Sequence, residues 1–353
     1  MTTSHRLRLI MRCTAVAGLA AAAAILTTSA HAAGEVNIYS LREPALIEPL
    51  LKAFEAHTGV KSNIVFAKDG LIERLAAEGR NSPADVLLTN EFAVLLQAKD
   101  AQLTRAAGSP ELMASVPAHL RDAEGHWFGL TMRARVIYAA RDRVAQTSIS
   151  YEELADPKWK GRICIRSGQY TYNTALIASL IAHKGAEWTE TWLTGVKANL
   201  AKKPSGGDRD QAKFVFEGKC DIGIGNTYYI GAMATNGRKP EEQRWAAAIK
   251  VLFPNAGDRG THVNISGAAV TRHAPHPVEA VRLLEFLAGA EAQKLYAGAN
   301  NEYPVRVGVA PSDIVASWGQ LKADPIPLAD WAKLRKKASE LVDKVGFDDG
   351  PAS

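Results

Sequence analysis

The stretch Val36-Asn37-Ile38-Tyr39-Ser40 alternates apolar and polar side chains over a length that suits a single strand. Pro44 opens the segment that follows, in which Ile47, Leu50, Leu51 and Phe54 recur at helical spacing until Gly59 interrupts them. Residues 60–66 read as a second strand, 71–77 as a helix, and 84–88 as a buried strand behind Pro83. This succession of strand, helix, strand, helix, strand predicts a parallel sheet with helices on both faces, which is an α/β fold.

Residues 128–140 form one long apolar and partly β-branched segment that carries Arg133 and Arg135 two positions apart, hence on one face of a strand. A strand of that length suits a crossing between domains. Beyond the loop at 151–161 the rhythm restarts, with a strand at 163–166, helices at 174–184, 187–199 and 210–217, and a strand at 221–225. Pro- and Gly-rich turn clusters occupy 201–209 and 254–262, and residues 263–271 read as a returning strand. Helices follow at 277–287 and 290–297, with two more helical patterns in the tail at 314–321 and 329–344. The expectation is two α/β domains, 33–132 with 262–312 and 133–261 with 313–353, joined by two crossing hinge strands above a cleft.

Composition agrees with that size. The chain has 353 residues, of which 47% are hydrophobic, and only three Cys, figures that argue against disorder, a collagen-like repeat or a disulfide-dense mini-fold. Residues 1–32 have the layout of a secretory signal: a basic start at Arg6, Arg8 and Arg12, an apolar run over 15–26, and Ala30-His31-Ala32 as a small-x-small cleavage site. The run is short and Ala-rich for a membrane anchor, and Cys13 precedes it rather than closing it as in a lipoprotein. Removing this segment takes three Arg from the 42 basic residues against 37 acidic ones, so the formal charge drops from +5 to +2. Such a balance gives no support to nucleic-acid binding, and there is no basic stripe beyond Lys202-Lys203 and Lys336-Lys337. No nucleophile elbow or Ser/Lys arrangement appears, and His126, His262 and His273 have no motif around them, so the chain does not read as an enzyme. Export permits disulfides. The two Cys that remain, Cys164 and Cys220, are either a bridge or two buried thiols; if their strands pair in parallel, a bridge would clamp two strands together.

Ligands of open α/β sheets gather beyond the carboxyl ends of strands. Those positions here hold Tyr39 to Arg42, then Tyr170, Thr171, Tyr172 and Asn173, then Asn226, Thr227, Tyr228 and Tyr229, so five of the nine Tyr sit at three strand ends. One such ring packs on a helix in most proteins. Two adjacent ones at a turn are harder to bury together, because consecutive side chains leave a strand in different directions. A sugar-stacking platform or a hard-metal site remain as readings. A phenol loses its proton near pH ~10 in water, but a trivalent hard cation favours the phenolate strongly, and three phenolates balance Fe(III). Zinc or copper would favour His or Cys, and calcium an Asp-rich loop; neither pattern is present. Ferric iron takes about six ligands, so Tyr39, Tyr172, Tyr228 and Tyr229 would leave positions for water or a small anion, with Arg42 and Arg133 as its cationic support and Arg135 further along the same face.

On these residues the chain resembles the periplasmic ferric-iron-binding proteins, the substrate-binding components of iron(III) ABC transporters. The matching pieces run from Val36 to Arg42, Ser82 to Val86, Phe128 to Val136, Tyr172-Asn173, Asp221 to Tyr229, and Asn301 to Val305. The resemblance implies a bilobed type II periplasmic-binding-protein fold, periplasmic location, and Fe(III) ligation by Tyr172, Tyr228 and Tyr229 with Tyr39 as a fourth ligand. Tyr170 could stand in for Tyr172, which is preferred for its following Asn173. Many relatives carry a His before the first Tyr, where this chain has Ile38, so the ligation implied is all-oxygen with a synergistic anion such as carbonate or bicarbonate. The implied role is that of a monomer that takes up ferric iron or a ferric chelate and hands it to an ABC permease. The nearest alternative is the same fold holding an organic anion such as a phosphonate or thiamine without metal.

Overall fold

The protein is described here from a computed structural model covering residues 34–351. The expected signal segment lies outside the described residues. Ten strands are present among them: β1 (Glu35–Ser40), β2 (Lys61–Phe66), β3 (Val86–Thr89), β4 (Thr104–Arg105), β5 (Phe128–Ala140), β6 (Ile163–Cys164), β7 (Ile222–Asn226), β8 (Ile249–Leu252), β9 (Val263–Thr271) and β10 (Tyr303–Pro304). Their order is β2-β1-β3-β9-β5-β7-β6, with β8 and β10 also on β5 and β4 on β9.

The first helix follows the sequence pattern closely. Pro44 starts it, where a missing N–H costs nothing, and Gly59, at φ 72°, ends it in the left-handed region. Its Ile47, Leu50, Leu51 and Phe54 are buried, each contributing roughly 1.5–3 kcal/mol relative to exposure. The parallel arrangement expected from strand-helix alternation holds for β2-β1-β3 and for β6 with β7. β5 and β9 are antiparallel to their neighbours, so the sheet is mixed. A parallel partner requires a crossover connection, and neither β5 nor β9 is joined to an adjacent strand in that way.

β5 is the central element. Its first half pairs with β9, from Phe128↔Ala268 to Ala134↔Val263, and its second half pairs with β7 and β8, beginning at Arg135↔Asn226. One strand therefore serves both halves of the sheet, and Ala134 and Arg135 stand where it changes partners. Gln293 donates to the carbonyl of Leu130 at 2.8 Å and so ties the helix Ala290–Asn300 to this strand.

The chain end braces the loop that precedes Tyr172. Asp348 accepts from the Gly168 amide at 2.7 Å and from the Ser167 hydroxyl at 2.5 Å, while Gln169 donates to Asp343 at 2.7 Å. Gly168 is required by contact: a Cβ there would lie 2.9 Å from both Phe347 and Val342. The tail pattern expected as one helix over 329–344 is two, Leu328–Ala332 and Arg335–Lys344, and Trp331 on the first is buried against Phe92 and His262. Cys164 and Cys220 are joined by a disulfide, and since β6 and β7 pair in parallel, it ties the start of β7 to β6.

Candidate functional site

Two helices carry the phenols. Tyr172 is the second residue of the helix Thr171–Lys184, and Tyr228 and Tyr229 follow the first residue of the helix Thr227–Thr235. The sequence suggested a turn at Tyr228-Tyr229 because Gly225 and Asn226 precede it. Asn226 is instead the residue at which β7 ends and the helix Thr227–Thr235 begins. Neither helix receives a side-chain cap hydrogen bond, so both present first-turn N–H groups and the positive end of a helix dipole near the phenols.

The hydroxyls of Tyr172 and Tyr228 lie 3.2 Å apart, and the Tyr229 ring is stacked on that of Tyr228 with centroids 4.2 Å apart. Tyr170 packs edge-on against Tyr172 at 4.9 Å, with the Arg166 guanidinium 3.2 Å from the centre of its ring. Of the two candidates on this loop, Tyr172 is the one whose oxygen meets Tyr228. All of these rings line a cleft of about 510 Å³ whose facing wall includes Leu41, Arg42, Glu43, Asn90 and Glu302. Gly225 is needed for this arrangement. A Cβ there would fall 2.2 Å from the ring of Tyr138, whose hydroxyl donates to the Asn226 carbonyl at 2.5 Å.

Burial pushes the Tyr172 phenol up to about 12, with repulsion from the Tyr229 phenolate adding to it and Arg133 opposing it. Tyr228 and Tyr229 are also raised, burial being the largest cause in both. The three groups are therefore neutral near pH 7 and resist ionising together. A cation that can displace three protons resolves that conflict, which is the property of a hard, highly charged metal rather than of an apolar or anionic ligand. Among the described residues no three His, Cys, Asp or Glu side chains converge on one point, so phenol oxygens are the prominent donor set of the cleft.

Tyr39 is not brought to this cleft. Alternation along β1 turns Val36 and Ile38 into the large core and Tyr39 to the other face, where it is buried in a smaller cluster with Leu71, Leu75 and Leu87. Its hydroxyl donates to Glu78 at 2.9 Å and Arg74 sits over its ring. The strand end told which end of the sheet Tyr39 occupies, and parity along the strand decides which face.

Arg42 and Arg133 do reach the cleft, and each has a carboxylate beside it. Arg42 donates to Glu302 at 2.7 Å and to Ser266 at 2.7 Å, with Thr131 also donating to Glu302. Arg133 donates to the Asn90 carbonyl and stands 3.8 Å from Glu91, and its guanidinium is 5.6 Å from the Tyr172 ring centre. Arg135 is fully buried behind the phenols, donating to Asp208 at 2.6 Å and to Asn173 at 2.7 Å. Arg209 lies 4.9 Å from the Tyr229 ring centre. Sequence reasoning passed over Asp208, Arg166 and Arg209; the available signal, for Asp208 alone, was an acidic residue at the end of the turn cluster 201–209 where a helix begins.

Comparison with known proteins points the same way. The family profile described as bacterial extracellular solute-binding protein matches residues 81–337. The chain is 41% identical over 315 residues to iron uptake protein A1 of Synechocystis sp., covering 89% of this chain and 87% of that protein. It is similar in structure to the Bordetella ferric binding protein, with a TM-score of 0.85 at 55% identity over 89% of this chain and 99% of that one. A Trichodesmium protein solved in complex with iron and citrate ligands gives a TM-score of 0.85 at 41% identity over 89% of this chain and 100% of that one.

Proposed function

This chain belongs to the bacterial extracellular solute-binding proteins and shares the bilobed type II fold of the ferric-binding structures it resembles; from that premise we propose that it captures Fe(III) outside the cytoplasm for import. The observation that carries the reading is the approach of the Tyr172 and Tyr228 hydroxyls to 3.2 Å with Tyr229 stacked alongside. Three phenols at two helix N-termini form an all-oxygen donor set matched to a hard trivalent ion.

In this reading Tyr172, Tyr228 and Tyr229 are the ligands. Tyr39, held by Glu78 on the far face of β1, is outside the set. Three phenolates leave coordination positions open, and a small anion such as carbonate, or the carboxylates of a chelate, completes them. Arg133, which lines the cleft 5.6 Å from the Tyr172 ring centre, is the cation for that anion. Arg42 acts from behind it, since Glu302 already takes its fork. Binding proceeds first at the phenols, and closure about β5 and β9 then brings the opposite wall, Arg42 and Glu43 included, over the metal. Closure excludes water that would hydrolyse Fe(III) and creates the shape an ABC permease recognises in the periplasm, with the protein acting as a monomer. The two lobes in this mechanism are residues 33–132 with 262–312 and 133–261 with 313–353.

The test is the visible spectrum of the purified protein on titration with ferric citrate. Phenolate-to-iron charge transfer gives a red or orange colour in wild type that Tyr228→Phe loses or shifts. A colourless wild type, or a variant indistinguishable from it, would sink the assignment.

A further inference from the structure

We propose that Arg135 and Asp208 are positioning residues which hold the three phenols in register for the metal before it arrives; this rests on the iron reading above. Arg135 is the first residue of β5 to pair with β7, opposite Asn226. Its guanidinium spans both phenol-bearing helices. One arm donates to Asp208 at 2.6 Å and to the Asn226 side chain at 3.2 Å, and the other donates to Asn173 at 2.7 Å. Asn173 directly follows Tyr172, and Asn226 occupies the position just before the first turn of the helix of Tyr228 and Tyr229.

Asp208 closes the arrangement from the other side. The oxygen that meets Arg135 also accepts from the Asn226 amide at 2.8 Å, and its second oxygen accepts from Arg166 at 3.1 Å. Arg166 in turn stacks on Tyr170, which packs on Tyr172, and its carbonyl accepts from Asn173 at 3.1 Å. Tyr172 is thus next to Asn173 in the chain, and Tyr228 and Tyr229 lie two and three residues beyond Asn226 on the first turn of the helix it precedes.

Stability alone is a poor reason for such a cluster, because a buried ion pair gains little over apolar packing of the same volume. What a charged fork supplies is direction: its donors fix two partners in one plane at set distances. Asn226 illustrates the cost. Its side chain accepts from Arg135 instead of capping its own helix, which leaves the N–H groups beside Tyr228 free. Two arginines against one aspartate also leave a net positive charge behind oxygens that must become negative on binding the metal.

The experiment uses the full exported protein in three forms, wild type, Asp208→Asn and Arg135→Lys, with Fe(III) affinity measured by competition against citrate. The position of the charge-transfer band and the thermal midpoint of the iron-free protein are recorded alongside. The expected result is affinity weakened by about 10–100-fold, as for other groups that orient metal ligands, together with a shifted band in variants whose iron-free circular dichroism is unchanged. A purely structural role would lower the midpoint and leave the band where it was, and that result overturns the proposal. Should Asp208→Asn not fold, Arg135→Lys decides by the same two readings, since it keeps the charge and loses the fork. A wild type that takes up no iron removes the iron reading itself, whereas a coloured wild type with unaltered variants removes only the positioning role.

Discussion

The hydroxyl of Tyr172 lies 3.2 Å from that of Tyr228, across 56 residues of chain. That contact is made by two helix first turns facing each other, and each helix is set by the parallel strand before it, β6 for one and β7 for the other. With both phenols neutral the two oxygens share one proton between them as a hydrogen bond; with both ionised they repel unless a cation stands between or beside them.

Iron affinity should therefore fall as pH falls. Burial holds Tyr172 up at about 12 and raises Tyr228 and Tyr229 as well, so the iron-free phenols carry their protons throughout the neutral range. Binding as phenolates releases about three protons per metal, and mass action then favours release of the metal in acid. Proton release followed in weakly buffered solution on adding ferric citrate, corrected for the protonation of citrate, checks this; a value near zero would contradict phenolate ligation.

Tyr39→Phe should leave the iron spectrum and affinity as they are. The substitution removes a hydrogen bond to Glu78 that is remote from the cleft, at a cost to stability of about 1 kcal/mol. Glu78 keeps its contacts with Arg74 and Ser82. Denaturant unfolding measures the cost, and loss of colour in this variant would return Tyr39 to the ligand set.

Acid should destabilise the fold through His262. Burial first, then Arg135 and Arg133, push this side chain down to about 3, whereas in the unfolded chain it titrates near ~6.5. Because the unfolded state takes the proton first, stability is lost as pH drops through the interval between the two values, by about 2 kcal/mol at pH ~5. His262→Asn removes this contribution, so the variant's midpoint should vary less with pH between those limits. Equal slopes for the two proteins would rule it out.

Removing the disulfide should cost stability without moving the metal spectrum. Cys164 and Cys220 are 56 residues apart, and a loop of that length constrains the unfolded chain by about 2–4 kcal/mol. The double substitution Cys164→Ala with Cys220→Ala, compared with wild type by denaturant unfolding, reads this directly. A shifted charge-transfer band in that variant would show instead that the bridge sets the ligand geometry.

Much of the scaffold was legible in one dimension because burial has a period. The bounds of β5 and β9, and the first helix between Pro44 and Gly59, follow from runs of apolar side chains and their terminators. The helix at Thr227 was not legible, since Gly225 and Asn226 signal a turn whether or not a helix follows; here the glycine is needed for the Tyr138 ring and the asparagine for Arg135.

The sequence by itself determined the alternating α/β order, the length of the crossing strand, and the presence of Tyr172, Tyr228 and Tyr229 at strand ends, because each depends on local spacing. Tertiary structure alone decided which of those tyrosines meet, that Tyr39 turns to the opposite face, and that Arg42 is taken by Glu302, 260 residues away. Side-chain contacts of that kind depend on which strands become neighbours and on the parity of each residue along them, and neither is carried by any short stretch of chain.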